Sequence, residues 1–261
     1  GTNVVANKSG EKSTRRIGAS YEIIQTPDAR VALFGSYSEG FRPQLPGLST
    51  LNGVTHPQLL DPEFTKNYEG GVKVSALNNA LFAEVTVFDM IRDDAQRSFR
   101  IDQDTFLFTN AAQEVKGVEA QIRFRATEQL SGYLTYSYID AENTSFVTNT
   151  GDFSGNTIRM AANHFAGAGI NWSFDNFNWN VSANYVGERP LRDNIPAAQI
   201  QTLPSYLVWN TSLRYDFDRY YVQGTINNIT NEFYIADDFS GNNAGNAAPP
   251  REFYFTAGAR F

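Results

Sequence analysis

Apolar and polar positions alternate with a period of two along much of this chain. From Leu203, every second residue through Ser205, Leu207, Trp209, Thr211, Leu213, Tyr215 and Phe217 is mostly apolar, with Asn210, Ser212, Arg214 and Asp216 between them. Around Trp179 one set reads Trp179, Val181, Ala183 and Tyr185, the other Asn178, Asn180, Ser182 and Asn184. The C-terminus places Phe253, Phe255, Ala257, Ala259 and Phe261 against Glu252, Tyr254, Thr256 and Arg260. Successive side chains of a strand point to opposite faces, so each segment predicts a strand with one greasy and one wet face. Roughly ten residues is the length of a tilted strand crossing a bilayer. Strands of a soluble sandwich usually run to about five or six.

The pattern predicts eleven such strands, at 13–24, 31–42, 66–76, 81–92, 114–126, 130–142, 157–174, 178–188, 203–217, 219–231 and 251–261. Short connections (25–30, 77–80, 127–129, 175–177 and 218) alternate with long ones (43–65, 93–113, 143–156, 189–202 and 232–250). Turns sorted by length to the two sides describe an outer-membrane barrel with its short side in the periplasm. Trp172, Phe174, Phe177 and Trp179 bracket one short turn, and Tyr215, Phe217, Tyr220 and Tyr221 another, as an interfacial aromatic girdle would. The fold class expected is all-β, a transmembrane antiparallel barrel. A self-contained barrel closes on an even strand number, so an odd count ending at Phe261 reads as part of a larger one. Residues 1–12 are then expected to be the remainder of an extracellular loop, and 13–261 the C-terminal half of the barrel.

Composition narrows the function. Aromatics are 14% of the chain, with 13 Tyr and 20 Phe, yet only 41% is apolar and mean hydropathy is −0.38, which suits two-faced strands better than buried helices. No apolar run approaches the eighteen or so residues of a membrane helix. A net charge of −7 and a pI near 4.9 speak against nucleic acid as partner. Cysteine is absent, which excludes a disulfide framework, a thiol nucleophile and a thiolate metal site. The opening Gly1-Thr2-Asn3-Val4-Val5 has neither the basic nor the apolar region of a signal peptide.

Six local motifs stand out: Tyr37-Ser38-Glu39-Gly40-Phe41-Arg42-Pro43, Leu60-Asp61-Pro62-Glu63 leading into Asn67-Tyr68-Glu69-Gly70-Gly71-Val72-Lys73, Asn110-Ala111-Ala112 with Lys116-Gly117-Val118-Glu119, Tyr136-Ser137-Tyr138-Ile139-Asp140-Ala141, Asn227-Asn228-Ile229-Thr230-Asn231-Glu232-Phe233-Tyr234, and Pro250-Arg251-Glu252-Phe253. They resemble the C-terminal barrel of TonB-dependent outer-membrane receptors of the siderophore-receptor kind. Each is weak alone, but together they stand in the family's order over most of the chain. Some have a physical reading of their own. Gly70-Gly71 and Gly117 are expected where strands begin, at a bulge or close backbone approach. Asn227 to Asn231 is expected to end a strand in residues that satisfy loop backbone locally.

The resemblance implies a 22-stranded barrel with an N-terminal plug, in the bacterial outer membrane, driven through TonB by the proton motive force. It implies import of a ferric siderophore, with haem, cobalamin and oligosaccharide importers as relatives. The terminal aromatics Phe253, Phe255 and Phe261 resemble the signal read by the barrel-assembly machinery. Expected partners are the ligand, outer-membrane lipids and lipopolysaccharide, the absent plug and barrel half, and the TonB complex through that part; no cofactor is expected.

Catalysis has little support. His56 and His164 stand apart, and His164 shares register with Ile158, Met160, Ala162 and Ala166, which assigns it to the outward face. There is no G-x-S-x-G elbow and no phosphate-binding glycine motif. The acidic pairs Asp93-Asp94, Asp102 with Asp104, and Asp237-Asp238 are expected in outer loops, as solvated charges or as ligands for Ca²⁺ and lipopolysaccharide. An anionic iron chelate needs guanidinium donors and aromatic faces at the outer mouth. Candidates are Arg42, Arg97, Arg100, Arg189 and Arg192 with Phe99, Phe106, Phe108, Phe153 and Phe239; Arg123, Arg125 and Arg214 are expected lower on the lumen wall. Two competing readings are a small self-standing barrel enzyme and a soluble carbohydrate-binding sandwich. The first needs an even strand count and a histidine beside Ser or Asp at the lumen edge; the second needs shorter strands and unsorted loops.

Overall fold

The computed structural model describes residues 12–43, 46–100, 104–148, 150–238 and 245–259. Eleven long strands follow one another in a single antiparallel meander: β1 Arg16–Gln25, β2 Ala29–Arg42, β3 Glu63–Ala76, β4 Leu81–Arg100, β5 Phe106–Arg125, β6 Leu130–Ser145, β7 His164–Phe174, β8 Phe177–Val186, β9 Tyr206–Phe217, β10 Tyr220–Asn227 and β11 Glu252–Ala259. Each pairs with its neighbours in sequence, and no pairing joins β1 to β11 among the described residues. The expected strands are all present, with ends moved by a few residues at most places.

Two boundaries move further, for physical reasons. The expected loop at 93–113 is instead ladder: a register shift between Arg92 and Ala95, with Asp94 at φ 56, absorbs the acidic pair, and pairing resumes from Ala95↔Ala111 to Arg100↔Phe106. A bulge of this kind takes an extra residue without ending the strand. Asp93 and Asp94 therefore lie within β4, not in an outer loop. Conversely, the strand expected at 157–174 begins only at His164. Its first part turns, with Met160 at φ 61 and the Ala161 N–H donating to the Ile158 carbonyl at 3.1 Å. The alternation of Ile158, Met160 and Ala162 is incidental there. The loop after β2 also holds a hairpin, Pro46–Leu51 with Val54–Leu59, closed by Asn52-Gly53 at φ 50 and 75. Positive φ at both residues is the type I′ geometry that Asn-Gly favours.

The sheet has two unlike faces. On the outer one, Val85, Val87, Val118, Ile122, Leu134, Ile170, Trp172, Trp179 and Leu213 are exposed. So much bare apolar surface is costly in water and at home in hydrocarbon. The other face carries Glu84, Glu119, Gln121, Asn178, Asn180, Ser182 and Arg214, in register across the strands. Aromatic side chains mark the edges of the apolar band. Phe174, Phe177, Trp179, Tyr215 and Phe217 stand beside the short turns, and Tyr136, Tyr138, Tyr185 and Trp209 toward the other rim. From Phe177 to Tyr185, at about 3.4 Å per residue and a tilt of about 45°, the band measures roughly 19 Å, close to the ~25 Å apolar belt of outer-membrane barrels.

Gly71 and Gly117 lie mid-strand, not where strands begin. A Cβ on Gly71 would meet the Phe34 ring at 2.8 Å, and one on Gly117 the Phe88 ring at 3.0 Å. Each ring thus reaches across a glycine of the paired strand, and a Cβ there would also run into a backbone oxygen, that of Val85 at Gly71 and that of Tyr138 at Gly117. At the long-loop rim Ala111, Phe146 and Phe153 form a small buried core, the two rings meeting edge to face at 5.9 Å.

Candidate functional site at the loop-bearing rim

One rung of polar side chains crosses the inner face from β2 to β6 at this rim. Arg42 Nη1 lies 3.9 Å from Glu63 Oε2. Arg92 donates from Nη2 and Nε to Glu63 Oε1 at 2.7 and 3.1 Å, and from Nη1 to Gln113 Oε1 at 3.1 Å. Gln113 Nε2 then donates to Asn143 Oδ1 at 2.9 Å. The register places these residues side by side, pairing Arg42 with Glu63, Arg92 with Gln113, and Gln113 with Asn143. Glu63, Gln113 and Asn143 are buried, and each buried polar group needs its partner.

The rung continues into the loop at 187–205. Asn143 Nδ2 donates to Asp193 Oδ2 at 3.1 Å, and Arg97 Nη2 to Asp193 Oδ1 at 2.7 Å. The Arg159 N–H reaches the same carboxylate at 3.2 Å. Asn156 Nδ2 donates to the carbonyls of Asp193 and Ile195 at 3.0 and 2.9 Å. Asp193 thereby holds its own loop, the loop at 146–163 and the β4–β5 hairpin together. Arg97 also lies over the Phe146 ring at 5.2 Å.

A second set of contacts closes the neighbouring part of the rim. Arg189 is buried, lies over Tyr206 at 4.9 Å and donates to the Ile235 carbonyl; Tyr206 stacks on Tyr234 at 4.0 Å. Asn228, at φ 53, donates to the carbonyls of Glu232 and Pro249 and accepts the Glu232 N–H at 2.8 Å. The asparagine cluster after β10 thus satisfies loop backbone as its sequence suggests. Beneath lies a depression of about 450 Å³ lined by Asn184, Tyr206, Asn210, Tyr234 and Glu252 among others.

The candidate residues separate by their surroundings. Arg42 keeps a side chain 54% exposed, whereas Arg97 at 17% and the buried Arg189 are held by protein partners. Among the described residues, buried Arg189 Nη1 and Arg192 Nε have no hydrogen-bond partner. Phe153 belongs to the small core under the loops. The Phe108 backbone N–H donates to the Ser49 hydroxyl at 3.1 Å. Phe99, Arg100 and Phe106 sit at the tip of the β4–β5 hairpin, but their side chains, like residues Phe239 and Phe261, lie outside the described residues. Phe253 and Phe255 project from the outer face of β11. His164 is on the outer face as expected, with Nδ1 2.9 Å from the Tyr136 hydroxyl. Among the described residues no group of three or more His, Asp or Glu is arranged to hold a metal ion; Asp102 lies outside them.

Gln113, Asn143, Asn156 and Asp193 were invisible as a site in the sequence, because their proximity depends on register across several strands. With this geometry in hand, the comparison with known proteins is direct: residues 1–229 match the family described as TonB dependent receptor-like, beta-barrel. The chain belongs to the β-barrel domain family of TonB-dependent receptors. It is an outer-membrane β-barrel sequence of that family. The metal-pseudopaline receptor CntO of Pseudomonas aeruginosa is 28% identical over 246 residues, covering 83% of this chain and 31% of the relative. The ferric-catecholate import receptor Fiu of E. coli K12 superposes with a TM-score of 0.71 at 17% identity, over 94% of this chain and 34% of that one. The ferric yersiniabactin uptake receptor FyuA of Yersinia pestis gives 0.73 at 19% identity, over 93% and 36%. The chain spans about a third of the length of these proteins.

Proposed function

We propose that this barrel segment forms the outer mouth of a TonB-dependent importer of a ferric siderophore, with an N-terminal plug and further strands completing the receptor. The observation that carries the reading is the rim itself. Loops from β6–β7, β8–β9 and β10–β11 are tied by buried hydrogen bonds into a fixed wall, from which Arg42 presents an exposed guanidinium. A preorganised wall costs little ordering when a ligand binds. An exposed guanidinium suits the anionic oxygens of an iron chelate. Receptors for ferric catecholate and ferric yersiniabactin share the fold, which supports iron as cargo. The reading is transport, because the relatives are named as receptors. Growth of a deletion strain under iron limitation, rescued by the intact receptor with a panel of ⁵⁵Fe-labelled siderophores, tests it. Unchanged uptake of every chelate would refute it.

A second reading is import of another metal with its chelator. The relative that covers most of this chain at 28% identity is named a metal-pseudopaline receptor. Elemental analysis of the same strains, supplied with zinc, nickel, cobalt and iron, separates the two.

A further inference from the structure

On the outer face, beside the short turn between β7 and β8, lies a cleft of about 370 Å³ lined by Trp172, Phe174, Phe177, Trp179 and Leu213. Trp172 and Trp179 stand edge to face with ring centres 6.4 Å apart. Interfacial tryptophans commonly turn the indole N–H toward the headgroups, one end of the ring apolar and the other wet. Trp179 does not. Its Nε1 donates to Thr211 Oγ1 at 2.9 Å, and the Thr211 hydroxyl donates in turn to the Asn180 carbonyl at 2.8 Å. Thr211 lies further from the short turns than Leu213, which is paired with Trp179. The indole N–H is therefore satisfied within the sheet, on the side away from the headgroups, and the exposed ring surface is wholly apolar. Such a recess, continuous with the membrane-facing band, matches hydrocarbon and offers nothing to a polar occupant.

The charge at the mouth of the cleft selects the headgroup. Asp175 stands in the turn that joins Phe174 to Phe177, and of the two flanking short turns one carries Glu128 and the other sets Asp218 beside Arg219, so this end of the sheet is net negative. This side faces the periplasmic leaflet in outer-membrane barrels. We infer that the cleft is a lipid site that seats an acyl chain of one periplasmic-leaflet phospholipid with an ammonium-bearing, zwitterionic headgroup, in preference to an anionic one. The inference rests on the membrane placement of the barrel and not on the identity of the imported ligand.

The test uses the intact receptor in detergent, titrated with equimolar phosphatidylethanolamine and phosphatidylglycerol of the same acyl chains and read by native mass spectrometry. The wild type is expected to retain phosphatidylethanolamine with about a fivefold preference, the size of one charge at a membrane surface. Leu213→Trp, which fills the cleft from a membrane-facing position, is expected to retain one lipid fewer. Asp175→Asn is expected to keep that lipid but lose the headgroup preference. Heat-modifiable gel migration confirms that each variant is a folded barrel. An unchanged lipid count in Leu213→Trp overturns the inference, as does equal or greater retention of phosphatidylglycerol by the wild type. A receptor dimer that Leu213→Trp dissociates would assign the cleft to a second copy and overturn it too.

Discussion

Arg97 Nη2 meets Asp193 Oδ1 at 2.7 Å although 96 residues separate them in the chain. The carboxylate is 2% exposed and also accepts from Asn143 Nδ2 and the Arg159 N–H. Removing it strands a guanidinium and an amide in a dry site, and breaking a buried pair typically costs about 3–5 kcal/mol. Asp193→Ala is therefore expected to open the loops at 146–163 and 187–205 without unfolding the sheet, whose ladders do not pass through Asp193. Hydrogen exchange on the intact receptor checks this: protection should fall at Arg159 and Asn156 and persist at β8 and β9. Equal loss throughout would show that the carboxylate supports the whole barrel.

The sheet was largely legible in the sequence, and the rim was not. In β8 and β9 the alternation from Asn178 to Tyr185 and from Leu207 to Phe217 reports a face that meets lipid and a face that does not, so pattern and structure coincide. In β4 the doublet Asp93-Asp94 reads as a loop, yet a left-handed Asp94 lets the strand continue. Asp193 carried no signal because loop aspartates are usually solvated. Its burial follows from where Arg97 and Asn143 fall in register and from how the loop that carries Asn156 and Arg159 returns to them. The candidate arginines of the mouth rest on strand parity and loop position, which do not reveal whether a protein carboxylate or carbonyl already occupies them.

Tyr133 of β6 lies across Gly169 of β7, its directly paired residue. A Cβ on Gly169 would sit 2.8 Å from Tyr133 Cζ, and its three nearest atoms all belong to that side chain. Gly169→Ala is thus an overpacking substitution, worth about 1–3 kcal/mol. The clash is with a side chain and not with backbone, so Tyr133→Ala in the same chain should relieve it. The folded fraction on heat-modifiable gels should fall for Gly169→Ala and recover in the double variant. Failure to recover would place the cost in the β7 backbone.

Asp152 sits in the loop at 146–163, where the Ser154 hydroxyl and N–H donate to Oδ1 at 2.6 and 3.0 Å. These bonds, the hydroxyl first, hold its carboxyl below the usual carboxylate range. A group with a lowered folded pKa contributes stability above its unfolded value, near 3.9, and loses it as pH falls through the folded value. The turn presents Ser154 Oγ to the Phe146 N–H at 2.9 Å, beside the Phe146–Phe153 contact. Exchange at the Phe146 and Ser154 amides, corrected for intrinsic rates, should therefore be constant from pH 7 to about 5 and accelerate below about 4. In Asp152→Asn that acid-dependent step should vanish. An unaltered step would assign it to another carboxylate.

Arg42 and Arg189 are both proposed for the mouth, but their surroundings predict opposite phenotypes. Arg42 is 54% exposed and its nearest carboxylate oxygen is 3.9 Å away, on a Glu63 already held by Arg92. Arg42→Ala should leave the fold intact, since an exposed ion pair contributes about 0–1 kcal/mol. If its guanidinium meets the anionic chelate, the same change should weaken binding by roughly tenfold, the size of one charge-assisted hydrogen bond. Arg189 is buried between Tyr206 and the Ile235 carbonyl, so Arg189→Ala should destabilise the loops after β8 and β10. Arg189→Lys should not restore them, because a lysine ammonium lacks the planar group that lies on Tyr206. Chelate binding by intrinsic fluorescence, set beside proteolytic sensitivity of the same variants, separates the two roles. Loop cleavage in Arg42→Ala, or unchanged cleavage in Arg189→Ala, would reverse the assignment.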